Sequence, residues 1–506
     1  MVDSYFKLSE ESPNKRVIST QEMIKSCFYH LIKLAWPSTL TYLIQICADI
    51  SSYHYVGRLS DPLNIATLTL GTTTLNMFSI SLAFGLNMGI DTLVTQHYGK
   101  KEFHSCSLIL YRSIIFGFMI CSLSLLLILN SEAILTLFSV EKVLAQNVEE
   151  YIKAGMIYIY AVTFFDQIRR FLTGQRIVKP QLYITITTSL LQILHCALFV
   201  HIFGLKGVIY SMTTTQILNI ISLIIYIYRS KCCVNTLVLP TNEVFLQISQ
   251  FLKYAISSTI MFWMEAWSLQ ALNIICGSLG SDYSAANGIS LNINLVFYTF
   301  ASGIGAASCT LVGNSLGEKK GSQAKMFARV GLASIIFISI IFSFILYNLQ
   351  NLVFSFYMNN DHIKELFVAN LPILMLAVIF DNTQGVGSRI LVGMGKQIYS
   401  TISNIIAYII FMIPLALILK SSKKIRGLWM ALLFAYLLTS VFFIFTINLY
   451  NFDLIADRIS KNISFIKDDD DKGEDEVVTN IVNTFNLLEE LNNDGNIDYM
   501  SYQIKH

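Results

Sequence analysis

Charge is what this chain has least of. Of its 506 residues only 13% are Asp, Glu, Lys or Arg, against 54% hydrophobic, whereas an ordinary soluble domain is about 25% charged. With a mean hydropathy of +0.57, that deficit excludes a soluble enzyme, and it excludes intrinsic disorder over most of the length. A net charge of +2 lacks the basic excess that a nucleic-acid partner calls for. The first 25 residues lack the apolar core of a secretory signal, so the N-terminus is expected to stay in the cytosol and the first span to act as the insertion signal. The nine cysteines contain no CxxC pair, which argues against a disulfide scaffold; Cys232 and Cys233 read as reduced bystanders rather than lipidation sites. There is no Walker lysine motif, no zinc-ligand cluster and no Gly-rich nucleotide fingerprint. An ATP motor, a cofactor and a metal are therefore not expected, and any work must be driven by an ion gradient.

What is present is a series of apolar stretches, each about 20 residues long and so able to cross a bilayer as a helix. Twelve are readable, centred near residues 44, 77, 118, 161, 191, 217, 264, 296, 338, 379, 408 and 438. Several are interrupted: Pro37 and Asp49 fall in the first, Glu265 in the seventh, Pro372 and Asp381 in the tenth, and Pro414 in the eleventh. Twelve spans put both termini on one side. Loops on that side carry sixteen Lys or Arg and the opposite loops nine, so both tails are expected in the cytosol. A basic cluster between residues 420 and 426 runs against that rule.

The chain also repeats itself. AFGLNMGIDTLVTQHYGKKEF from Ala83 aligns with ASGIGAASCTLVGNSLGEKKG from Ala301, matching Gly85 to Gly303, Thr92 to Thr310, Leu93 to Leu311, Gly99 to Gly317 and Lys101 to Lys319. At nearly the same offset Gly57 meets Gly277, Gly174 meets Gly393, and Gly207 meets Gly427. Each repeat holds an even number of spans, so both insert the same way round, related by an axis along the membrane normal with a cleft between them. The expected fold is all-α: a polytopic membrane protein of twelve transmembrane helices in two six-helix lobes. Its parts are a cytosolic tail at 1–30, an N-lobe at 31–229, a cytosolic linker at 230–249, a C-lobe at 250–450 and an acidic, Asn-rich cytosolic tail at 451–506. Residues 490–501 of the tail have the spacing of an EF-hand loop, but Ser501 stands where a bidentate Glu is needed. That segment reads as a remnant or a chance match.

An ionisable side chain at mid-bilayer costs about 2.5–3.5 kcal/mol and is a functional candidate by default. Glu265 and Asp381 sit near the middle of spans seven and ten, and Gln384 and Ser388 share the helical face of Asp381. Trp263 and Trp267 lie two residues either side of Glu265, roughly 160° around the helix, so they form no cage about it and are expected to pack or face lipid. Asp166 has Arg169 and Arg170 in ion-pairing register, and His195 reads as a packing residue. Asp49 in span one is open to either reading.

These residues resemble a known family. GIDTLVTQHYGKKEF (89–103) resembles the second-span signature, close to LDTLCGQAYGA, of eukaryotic multidrug and toxic compound extrusion (MATE) transporters. RFLTGQRIVKP (170–180) resembles their RFLQxQ...P segment, WMEAWSLQ (263–270) their CLEWWSFE, GIGAASCTLVGNSLG (303–317) their GLGAAVSTRVSNELG, and FDNTQGVGSRILVGMGKQ (380–397) their LDSLQGVLSGVARGxGxQ. The likeness covers about residues 31–450, with five segments in the right order.

The resemblance implies antiport: protons, or Na+ in some prokaryotic members, enter as a small organic and commonly cationic substrate leaves. It places Glu265 and Asp381 on the family's coupling acids, and Asn292, Tyr298, Gln384 and Asn76 on its cavity positions; Ser388 and Asp49 join them from the residue reading. Three departures stand out. Gln270 replaces a glutamate, Leu311 replaces an arginine, and the first-span Asp of prokaryotic members falls on Ser52, one turn from Asp49. The expectation is a monomeric proton antiporter in the plasma membrane or a vacuolar or endosomal membrane, with the lipid bilayer and a small molecule as partners and no nucleic acid. Two rivals remain at this point. One is a lipid-linked oligosaccharide flippase of the same superfamily, which favours a basic cleft; the other is a non-transporting sensor that signals through the acidic tail.

Overall fold

Lipid offers no hydrogen bonds, so a spanning backbone must satisfy its own, and an open chain does that only as helix. The computed structural model describes residues 20–59, 62–137, 140–357 and 360–461, and every regular element among them is helical. The acidic run at 468–476 and the EF-hand-like loop at 490–501 lie outside the described residues. By compactness the chain up to Ile459 is one unit and the remainder from Ser460 another.

Span 1 is α1 (Thr20–Gly57). Span 2 is α2 (Pro62–Leu75) continued through a π-helical turn at Asn76–Ile80 into α3 (Ser81–Gly99). Span 3 is α4 (Phe103–Ile128), followed by the short α5 (Ser131–Leu137). Then come α6 (Lys142–Ala154) with α7 (Met156–Gly174) as span 4, α8 (Lys179–Phe203) as span 5 and α9 (Lys206–Ser230) as span 6. The second lobe holds α10 (Ile248–Gly277), α11 (Ser281–Gly317), α12 (Gly321–Tyr357) and α13 (Asp361–Gly393). It ends with α14 (Gln397–Asn404), a second π-helical stretch at Ile405–Met412, and α15 (Ile413–Leu449). The last helix, α16 (Phe452–Lys461), buries Phe452, Ile455 and Ala456.

Among the described residues eight helical stretches are long and apolar enough to cross a membrane, and the last of these, Gln397–Leu449, is two spans joined at a bend at Lys424. Helices α1, α7 and α10 fall outside that set and complete the twelve. They are the helices that carry Asp49, then Asp166 with Arg169 and Arg170, then Glu265. Their lower apolarity reflects polar walls turned toward protein rather than lipid.

The repeat is visible in the backbone. Spans 2, 4, 8 and 10 end in the same Schellman cap, in which an N–H reaches the carbonyl five residues back. The pairs are Glu102 to His97 (3.0 Å), Ile177 to Leu172 (2.9 Å), Lys320 to Ser315 (2.9 Å) and Lys396 to Leu391 (2.8 Å). The left-handed residues of these caps are Lys101, Arg176, Lys319 and Gly395. Three of the four are basic, and a cation at a helix C-terminus complements its dipole. Helix capping and the positive charge of the terminal-side loops thus draw on the same side chains.

The lobes exchange their first helices in matching fashion. Leu31 and Ala35 of α1 pack among Ile304, Ala307 and Leu311 of the C-lobe, and Phe251 and Ala255 of α10 pack among Leu86, Ile90 and Leu93 of the N-lobe. Glycine makes the closest approaches possible. A Cβ on Gly85 would lie 2.5 Å from Thr259 Cα, and one on its repeat mate Gly303 would lie 2.7 Å from Thr39 N. Further along, Gly99 abuts Asn314 and Gly317 abuts Gln96 and Gly99. Small residues drive association between membrane helices because they let backbones touch.

The turn between the last two spans of each lobe is also shared. Gly204 (φ 58, ψ −139) corresponds to Lys424 (φ 52, ψ −131), and Gly207 and Gly427 each press on a carbonyl eight residues back, of Phe199 and Leu419. Lys424 holds a backbone conformation suited to glycine, with its ammonium 5.2 Å from the centre of the Tyr283 ring.

Two stability outcomes follow from this geometry. Gly317→Ala should lower the thermal stability of the purified protein by about 1–3 kcal/mol through overpacking. Gly288→Ala, facing open space in the same helix, should be neutral or stabilising by up to about 1 kcal/mol. At the bend, Lys424→Gly should melt above Lys424→Ala by about 1 kcal/mol. Both changes remove the ammonium, but only glycine relieves the backbone; the reverse order would rule out this turn geometry.

Candidate functional site

A carboxylate accepts hydrogen bonds and donates none, so two of them inside a helix bundle need donors. Gln384 on α13 supplies its amide nitrogen to both, 3.0 Å from Glu265 Oε1 on α10 and 3.1 Å from Asp381 Oδ1 one turn back. Both neighbours being acceptors, the nitrogen and not the oxygen of the amide must face them. Asn294 on α11 donates to Asp381 Oδ2 at 2.7 Å, and the Tyr436 hydroxyl on α15 faces Asp381. Asp381 is 3% exposed and Gln384 fully buried; Glu265 is half-buried.

Two buried acceptors are left over. Gln384 Oε1 and Asn294 Oδ1 have no hydrogen-bond partner, and the Tyr408 hydroxyl nearby, which can donate as well as accept, has none either. Tyr408 arrives from the π-helical stretch of span 11, which ends just before Pro414. A proline has no N–H to give the preceding turn, and a π-bulge absorbs that mismatch while turning a side chain inward, a common device at functional sites. Chemically the cluster is a surplus of oxygen lone pairs shut away from water. It suits a proton or an ammonium group, either of which brings donors.

The residues singled out from sequence fall in different places. Glu265, Asp381 and Gln384 come together. Tyr298 lies against Gly385, whose absent Cβ makes room for its ring at 2.9 Å. Ser388 is buried but bonds the Gly385 carbonyl of its own helix, 3.0 Å away. Asn292 also turns back on its own helix, donating to the Gly288 carbonyl at 2.9 Å; Asn294, two residues on, is the asparagine that meets Asp381. Sequence reasoning passed over Asn294, Tyr408 and Tyr436, although Asn294 shares the helical face of Tyr298 at i+4.

Asn76 and Asp49 belong to a separate polar cavity of about 230 Å³ inside the N-lobe, walled also by Tyr42, Gln45, Gln192 and Gln216. Asp49, an exposed residue, lines this space and faces Gln192, whose Nε2 closes no hydrogen bond of good geometry. At the base of the cavity Asp166 takes Arg169 and Arg170, as their spacing suggested, together with Asn87 at 3.0 Å. His195 meets Thr215 at 3.3 Å and packs on Phe199. A larger space of about 580 Å³ is an apolar groove along α11 and α12 and carries none of these groups.

Trp263 and Trp267 pack across the lobes. Their rings meet edge to face with centroids 4.6 Å apart, and both indole N–H groups donate to the Met77 carbonyl at 3.2 Å. Met77 lies in the π-helical turn of span 2, and its carbonyl also accepts from Ser81 Oγ at 2.9 Å. Other bonds join the lobes at the terminal end: Thr92 Oγ1 to the Val392 carbonyl (2.8 Å), Gln96 Nε2 to that of Gly393 (3.1 Å), and Arg176 to Glu318 (3.3 Å).

Two lobes of six spans, each with buried polar groups, define a polytopic membrane protein of internally repeated design. The comparisons identify which kind. The MatE family model matches twice, at residues 37–198 and 257–418, once in each lobe and starting 220 residues apart, the offset of the repeat. The rabbit (Oryctolagus cuniculus) "Multidrug and toxin extrusion protein 1" is 27% identical over 79% of this chain and 71% of its own length. "Protein DETOXIFICATION 3" of Arabidopsis thaliana is 25% identical over 85% of this chain and 91% of its own. The crystal structure of the eukaryotic MATE transporter AtDTX14 superposes with a TM-score of 0.83 at 22% identity, covering 87% of this chain and all of that one. The chain belongs to the MatE family and has the twelve-helix, two-lobe fold of its transporters.

The shared amide makes a measurable coupling. Gln384→Ala should cost about 1–3 kcal/mol of stability by stranding buried acceptors, and a double-mutant cycle with Asp381→Asn should return a coupling of about 0.5–3 kcal/mol. Asn294→Ala should be costly for the same reason. Asn292→Ala should stay within about 0.5 kcal/mol of wild type, and equal costs at 292 and 294 would contradict the geometry.

Proposed function

We propose that the chain is a secondary active antiporter that exports a small organic cation in exchange for protons, with Glu265 and Asp381 as the coupling acids. The observation that carries this reading is the acceptor surplus around Gln384: two carboxylates, one bridging amide and orphaned oxygens nearby. Such a cluster is satisfied by a proton or by an ammonium, and the two compete for the same lone pairs. Competition makes exchange obligatory, because substrate departs when a proton takes its place. One pH unit supplies about 1.4 kcal/mol per proton, and 100 mV about 2.3 kcal/mol per net charge moved.

The basic caps at the terminal end and the positive-inside rule support a cytosolic placing of both tails. The lobes meet closely at that end, from Gly85 to Gly99 and from Gly303 to Gly317, which on this orientation is an outward-facing state. The acidic lining of both lobes, Asp49 in one and Glu265 with Asp381 in the other, favours a cationic substrate over the anionic headgroup of a lipid-linked oligosaccharide. The names of the relatives, multidrug and toxin extrusion and detoxification, support export of a xenobiotic. A plasma or vacuolar membrane suits the proton gradient equally.

Reconstituted in proteoliposomes, wild type should drive a fluorescent organic cation against its gradient when a pH difference is imposed. Glu265→Gln and Asp381→Asn should each reduce gradient-driven transport by about tenfold or more; full pH response in both variants would refute the assignment. Truncation after Lys461 should leave transport intact, which a tail-signalling sensor would not predict. The cut belongs there because α16 is part of the C-lobe core.

A further inference from the structure

Asp91, on α3 in span 2, touches both lobes. Its Oδ2 accepts from Arg170 Nη1 on α7 of the same lobe and from Arg389 Nη1 on α13 of the other, the latter at 3.0 Å. The two arginines stand 219 positions apart, the offset of the repeat, so they are equivalent residues converging on one acid; the position equivalent to Asp91 is occupied by buried Cys309. The three side chains are only 7–16% exposed. The neutral inter-lobe bonds of Thr92 and Gln96 lie on the following turns of α3.

The arginines are not held alike. Arg170 has a second partner in its own lobe, Asp166, at 2.6 Å. Arg389 pairs with Asp91 across the interface, beside the like charge of Arg170, and its charge also acts on Glu265 in its own lobe. It stands eight residues beyond Asp381 on one helix, with its stem pressed on Gly305. Around this group the remaining titratable side chains are Arg169 and Asp166 on α7, Tyr42 on α1, Tyr298 and Cys309 on α11, and Asp381 on α13.

We propose that Arg389 and Asp91 form a latch between the lobes: a positioning pair, closed in this structure, that must part for the terminal end to open. The proposal takes the alternating-access reading as its premise and adds the element that switches. A latch needs two arrangements of comparable energy, and stranding a buried charge normally forbids a second one. Here Asp91 keeps Arg170 when Arg389 leaves, and Arg389 has the attraction of Glu265 in its own lobe. Neither charge is abandoned, so the exchange of partners is bistable. The same helix that carries Asp381 and Gln384 thus carries the moving half of the latch.

The test uses the full chain in nanodiscs and reads amide hydrogen exchange over residues 92–102 and 313–320, the segments in closest inter-lobe contact. Arg389→Gln should raise exchange in both segments by about tenfold or more while leaving residues 179–230 unchanged, since local opening reports its own free energy. Arg389→Lys, which keeps the charge without the planar fork, should fall between. In proteoliposomes Arg389→Gln should lower kcat for the organic cation with KM within about twofold, the signature of a step after binding. Exchange within twofold of wild type, or a rise spread across the N-lobe, would overturn the latch. Both Arg389 variants leave the Arg170, Asp91 and Asp166 group intact, so the N-lobe charge cluster keeps its partners in each. The exchange reading needs no substrate, so a wild type that moved no organic cation would count against antiport and leave the latch still decided by exchange.

Discussion

The structure depends on two lobes touching through bare backbone. In lipid there is no hydrophobic gain in bringing apolar helices together, so contact has to come from close packing and hydrogen bonds. Gly85 against Thr259, Gly303 against Thr39, and Gly99 and Gly317 against the facing turns supply that closeness at the terminal end. Once the backbones are this near, Thr92 and Gln96 reach carbonyls of α13 about 300 residues away in the chain. Close approach built on glycine has few rotamers to order.

The acid pair is connected to that surface through a single helix. On α13, Asp381 and Gln384 belong to the buried cluster, Arg389 crosses to Asp91, and the Val392 and Gly393 carbonyls receive the N-lobe donors. About three helical turns separate the buried acid from the carbonyls at the interface. The two π-helical stretches stand at corresponding tasks, one bringing Tyr408 toward the acids and one freeing the Met77 carbonyl for Trp263 and Trp267.

Much of this was legible before any coordinates. A span must present about 20 apolar residues whatever it packs against, so the helices announce themselves, and the glycine and lysine matches between the halves mark positions that meet at the interface or cap its helices. Asp166 with its two arginines is local, three and four residues apart, and could be read as such. The pairing of Asn294 with Asp381 could not, because the choice between residues 292 and 294 depends on the rotation of α11 against α13. Nor could the roles of Trp263 and Trp267, whose acceptor is a backbone carbonyl in the other lobe, or of Asp91, whose partners lie 79 and 298 residues away. The basic cluster near residue 424 becomes partly intelligible as a repeat of the Gly204 turn with a lysine in glycine's place.

The scarcity of charge therefore decided by itself that the chain lives in a bilayer, and the repeat decided that it is two lobes of one design. These are properties of single spans and of their order, and they need no partner to be true. Which acid meets which amide, and which arginine crosses the interface, depended on helix rotation and on contacts hundreds of residues apart. Only the packed structure decides these, because a side chain's partner is set by the tertiary fold that brings the two faces together.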